Sequence, residues 1–83
     1  MPWDLIKAEV SLRREHEEML ERRSRLRDFI DTREFFETDP EDQEAMRAQL
    51  SVMTSYIEIL TRRRQRLHKK AVAWKPETQA HNA

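Results

Sequence analysis

Six positive charges fall within nine residues near the end of the chain, in RRRQRLHKK at residues 62–70. An arginine fork takes phosphate oxygens two at a time, so such a run first suggests phosphate recognition. A second arginine cluster, Arg22, Arg23, Arg25 and Arg27, lies in the first half of the chain. The phosphate-binding candidates are Arg22, Arg25, Arg62, Arg63 and Arg66. A plainer account competes. Basic residues in the last turns of a helix interact favourably with its dipole and need no ligand, and Glu58 stands four residues before Arg62, where an intrahelical ion pair can form. The formal net charge is zero and the pI about 6.8, whereas proteins that bind nucleic acid usually carry a positive balance. The helix-end reading is therefore preferred, a phosphorylated small ligand comes next, and nucleic acid is expected to bind weakly.

Other chemistry is thinly represented. REHEEML approaches the helix of zinc proteases, but the position of the second histidine holds Leu20, so no metal site is expected. The chain has no glycine, which excludes the loops that cradle phosphates in nucleotide-binding folds, and no cysteine, which excludes thiol chemistry and disulfides. No serine–histidine–acid set or pair of carboxylates stands out. The chain is read as a non-enzyme with no catalytic residues and no cofactor.

The elements that must position these charges follow from periodicity. Leu5, Leu12, Met19 and Leu26 recur every seven residues, as do Met46, Met53, Leu60 and Leu67, with Leu50 and Ile57 as a companion row. A seven-residue repeat of this kind is a packing seam between helices. The expected fold is all-α: an antiparallel two-helix hairpin over residues 1–75, with helix one at 4–31, a loop at 32–39, helix two at 40–72, and a disordered tail at 76–83. Asp39 and Pro40 mark the start of helix two, and the two phenylalanines of TREFFETD are expected to fold over the closed end.

Antiparallel partners keep a nearly constant index sum, because both helices rise equally per residue. Leu12 with Leu60 and Met19 with Met53 sum to 72, and Glu9 with Arg64 to 73. This register predicts a structural polar layer of Glu9 and Arg64 and places Trp3 beside Trp74. Eighty-three residues with 39% charge and a mean hydropathy of −0.98 offer one narrow seam, which rarely stabilises so small a chain. Association into a four-helix or larger bundle is expected, through a second stripe of Leu20, Val52, Tyr56 and Ile59. Trp3, Trp74, Tyr56, Ile59 and Val52 are the candidates for partner binding.

The stretch EEMLERRSRLRDFI…FFETDPEDQEAMRAQLSVMTSYIEILTRR resembles a family of small bacteriophage and prophage helical-hairpin proteins of unknown function. The matching positions are Leu26, Phe29, Ile30, Phe36, Gln49, Met53, Tyr56, Ile59, Leu60 and Arg63, within residues 12–67. The resemblance implies phage origin and brings no activity or site. The first functional expectation is an oligomeric phage accessory protein that binds a host or phage protein, blocking a host defence factor in the cytoplasm of the infected cell. The alternatives are an oligomeric sponge that holds a phosphorylated signalling nucleotide between interface arginines, and weak nucleic-acid binding by the basic end of helix two. With no apolar run of membrane-spanning length and no signal-peptide order at the start, membrane association is not expected.

Overall fold

The structure is a computed structural model, and it describes residues 2–74. Three helices make up the chain: α1 (Trp3–Ile30), α2 (Arg33–Phe36) and α3 (Pro40–Ala73). The long helices α1 and α3 pack side by side and antiparallel, and α2 is a single turn in the expected loop. The tail expected at 76–83 lies outside the described residues.

Each boundary has a local cause. Asp39 has an extended backbone, and its carboxylate accepts from the Glu41 N–H at 3.1 Å, while Pro40 occupies the first helical turn, where its missing N–H costs no bond. Glu41 and Asp42 add negative charge at the positive end of the dipole. Thr32 joins α1 to α2. Its hydroxyl donates to the Phe29 carbonyl at 2.6 Å and accepts from the Phe35 N–H at 3.3 Å. Beyond α2, the Thr38 hydroxyl donates to the Phe35 carbonyl at 2.6 Å, and the Gln43 amide donates to the Thr38 carbonyl at 2.9 Å. The chain thus reverses through side-chain bonds to the backbone, and no described residue has a positive φ.

Phe35 is the plug of the closed end, with no exposed surface. Its ring meets Phe29 and Phe36 edge to face at 6.1 and 5.2 Å, and the Arg47 guanidinium covers it at 4.8 Å. The expectation that both loop phenylalanines cover the core needs correction: Phe36 is 62% exposed. Adjacent residues of a helical turn point about 100° apart, so one turn buries only one of them.

In the hairpin's stem Leu12, Ile57 and Leu60 are buried, at the expected seam positions. Cross-helix bonds mark the level of the two helices. The Tyr56 hydroxyl donates to the Glu15 carboxylate, and His16 reaches both Thr61 and Arg64. A hairpin with a cross-section of 15 × 15 Å has only one seam to bury.

Candidate functional site: the basic end of the hairpin

The open end of the stem is where cations gather, and the seam divides them between two flanks. On one flank a groove of about 330 Å³ has Leu12 and Leu67 in its lining, with Arg63, Arg66 and Lys70 contributed by α3. Positions 63, 66 and 70 are spaced by three and four residues, so their side chains rise from one side of α3. Opposite them α1 presents Ala8 and Ser11, whose small side chains leave the groove open. The ion pairs among the described residues are Arg13–Glu9 at 3.9 Å and Arg25–Glu21 at 2.5 Å. Arg63, Arg66 and Lys70 are all exposed and take part in neither pair. Glu15 also lines this groove, where its carboxylate accepts from the Tyr56 hydroxyl, so the lining holds three cations and one acid.

The other flank holds a bonded cluster in place of free charges. Arg64 donates from Nη1 to Nδ1 of His16 at 3.0 Å, and Nε2 of the same ring lies 3.1 Å from the Thr61 hydroxyl. A guanidinium has no acceptor, so Nδ1 must carry the lone pair and Nε2 the hydrogen. Thr61 receives that hydrogen and passes its own to the Ile57 carbonyl at 2.9 Å. The relay ties His16 of α1 to a backbone carbonyl of α3.

This cluster corrects the expected polar layer. Arg64 bonds His16, while Glu9 turns to Arg13 of its own helix. Helical side chains lean toward the N-terminus of their own helix. In an antiparallel pair, Arg64 and His16 therefore lean toward one another, and Arg64 and Glu9 lean apart. Backbone register alone did not carry that information, although His16 on the seam was a usable signal.

The remaining candidates are dispersed. Arg62 borders a separate shallow pocket with Ile57, Glu58, Thr61 and Gln65. Arg22 is exposed and Arg25 is held by Glu21, both in the closed-end half of α1. One chain does not bring the five phosphate candidates together. Trp3 is 67% exposed and meets the Lys7 ammonium at 6.0 Å, and the aromatic ring pairs among the described residues are all at the closed end. Val52 and Ile59 are 68% and 44% exposed and flank Tyr56 on α3. Leu20 does not join them. It stands one turn along α1 from His16, on the Thr61 flank of the seam, so the expected second stripe is confined to α3. Sequence reasoning did not single out Ala8 and Ser11, because small residues opposite a cation carry no signature of their own, and it held Lys70 only as part of the basic run 62–70.

Among the described residues no cluster of three or more histidines or acids could hold a metal ion, and no helix is long and apolar enough to cross a membrane. The fold and the groove define a helical hairpin with a cationic cleft at its open end. The chain belongs to the Sequestin family, whose pattern matches residues 8–66 and so spans both long helices and the turn between them. No curated protein and no solved structure matches the chain.

Proposed function

We propose that this protein sequesters a phosphorylated small molecule of the signalling-nucleotide kind, holding it without converting it, in the cleft of Arg63, Arg66 and Lys70. The observation that carries the reading is the set of three exposed cations on one side of α3, facing Ala8 and Ser11 across an apolar floor. Arginine forks recognise phosphate oxygens directionally, and a neighbouring lysine adds a point charge. The apolar floor suits a base or sugar face beside the phosphate. Charge pairing of this kind binds without moving protons, in keeping with a non-catalytic role. The family name, Sequestin, fits holding rather than transforming a ligand. The resemblance to phage hairpins gives the activity a setting, removal of a host signal in the cytoplasm of the infected cell.

Protein binding, ranked first from sequence, becomes the second reading. It is favoured by the exposure of Trp3, Val52 and Ile59. Binding to duplex DNA would use few phosphate contacts and fade with moderate salt.

A thermal-shift series with mononucleotides, cyclic dinucleotides and cyclic trinucleotides, with duplex DNA as comparison, tests the proposal. A ligand present at a hundred times its dissociation constant adds about 2.7 kcal/mol to stability. For a domain of this size that raises the melting temperature by about 10 °C or more. A flat response to every phosphorylated compound, with stable capture of a host protein, would replace sequestration by the second reading.

A further inference from the structure

The groove and the exposed stripe of α3 share one side of the hairpin, and the residues there are arranged about a common level. The Tyr56–Glu15 bond marks that level on both helices. Steps of seven residues return a helix to nearly the same side. Arg63 stands seven residues from Tyr56 toward the open end, and Arg22 stands seven residues from Glu15 toward the closed end. At 1.5 Å per residue each lies about 10 Å from the level, in opposite directions. Arg66 and Arg25 repeat the relation ten residues out, about 15 Å away. Lys70 and Asp42 lie fourteen residues to either side of Tyr56, about 21 Å away. Val52 and Ile59, both exposed, occupy the middle.

We infer that two copies of this chain pair antiparallel through the Val52–Tyr56–Ile59 stripe, about a two-fold axis at the Tyr56–Glu15 level. The pairing completes two phosphate sites, each built from Arg63 and Arg66 of one copy and Arg22 of the other. The phosphate part rests on the sequestration reading above.

Charge selects the occupant and its direction. Residues 28–44 carry eight acids and one arginine, so the closed end is acidic and the open end basic. Antiparallel pairing lays each basic end along its partner's acidic end and sets Lys70 level with the partner's Asp42; parallel pairing would stack like ends. The size also fits. A face 15 Å wide along the 28 residues of α1 gives a flat footprint of roughly 600 Å², and a ridged helical surface of that footprint approaches the about 800 Å² per partner of a stable interface.

Two layers of the pair set arginines at one level. About 15 Å out Arg66 meets the partner's Arg25, whose charge Glu21 offsets, and the nearer layer has no such offset. At about 10 Å from the axis Arg63 meets the level of the partner's Arg22, and Glu21 is already taken by Arg25. Like charges oppose the pairing there until an anion sits between them. Ligand binding and pairing are therefore coupled, and each strengthens the other by the same factor. The pairing gathers three of the five phosphate candidates, because Arg22 belongs to the partner's site, while Arg25 stays with Glu21 and Arg62 with its own pocket.

Two measurements on the full chain test the inference. Sedimentation of the wild type at micromolar concentration is expected to show a dimer whose dissociation constant falls at least tenfold with inorganic pyrophosphate. Ile59→Glu is expected to give a monomer that stays helical by circular dichroism. A wild-type monomer with and without pyrophosphate, or a dimer that survives both Ile59→Glu and Val52→Lys, overturns the pairing. The shared site is read by calorimetry with pyrophosphate on two variants, Arg22→Ala and the double change Arg63→Ala, Arg66→Ala. Each alone loses at least tenfold in affinity. Their equimolar mixture regains about a quarter of the wild-type sites, because half the dimers are mixed and each of those has one intact site. Loss in both variants without recovery on mixing overturns the shared site. If wild-type protein does not take up pyrophosphate, the sequestration reading falls and the shared site with it, while sedimentation still decides the pairing.

Discussion

At the closed end of the hairpin, side chains are turned toward the backbone and toward one another; at the open end they are turned outward. Thr32, Thr38, Asp39 and Gln43 each bond a main-chain group, and Phe35 is sealed between Phe29, Phe36 and the Arg47 guanidinium. Arg63, Arg66 and Lys70 instead stand in an open cleft, and Trp3 is mostly exposed. The first end meets the cost of reversing the chain, and the second keeps its charges available. Ligand-binding regions are commonly drawn from the less stabilised parts of a fold.

The largest effect that separates the two ends is Phe35→Ala. Emptying the plug removes a fully buried ring and is expected to destabilise the protein by about 4 kcal/mol, read by urea unfolding at fixed protein concentration. A loss under about 1 kcal/mol would place the weight of the fold elsewhere. Next comes Asp39→Ala, which deprives the start of α3 of its cap and should cost about 1 kcal/mol.

The cross-helix cluster lies between the two regimes and yields a smaller, sharper number. A double-mutant cycle of His16→Ala with Arg64→Ala should show a coupling of about 0.5–1 kcal/mol, since both groups are only partly buried. The parallel cycle of Glu9→Leu with Arg64→Leu should be additive within about 0.5 kcal/mol. The reverse result would restore the Glu9–Arg64 layer. The smallest effect on stability belongs to Arg63→Ala combined with Arg66→Ala, expected within about 0.5 kcal/mol of the wild type. The same variant should lose the thermal shift with phosphorylated ligands, so that binding falls while folding is untouched.

How much of this could be read in the sequence depended on whether the information lay in the backbone or the side chains. Seven-residue spacing located the seam, and Leu12, Ile57 and Leu60 are buried on it. Asp39 and Pro40 announced α3 through their capping chemistry. The one-turn helix at Arg33–Phe36 falls where periodicity gives only a loop, because four residues are too few for a period, although Thr32 three residues before Phe35 is a capping signal. The partner of Arg64 depended on the lean of long side chains along the helix. The phosphate candidates could be named by type, but their distribution over two flanks and two halves of the stem is set by how the two helices pack.

The turn built on Thr32 and Thr38 also bears on the order of folding. Its bonds join residues three apart in the chain, whereas the His16–Arg64 bond joins residues 48 apart. Closing a short loop costs less entropy than closing a long one, so pairing should start at the turn and zip toward the termini. The cationic cleft then forms last and frays first. Amide hydrogens of α1 and α3 near Ala8 and Arg66 should exchange faster than those near Phe35, and a bound anion should slow exchange at the frayed end before it alters the turn. In kinetic terms, stability lost by emptying the seam at the open end should show in the unfolding rate, and stability lost at the turn in the folding rate.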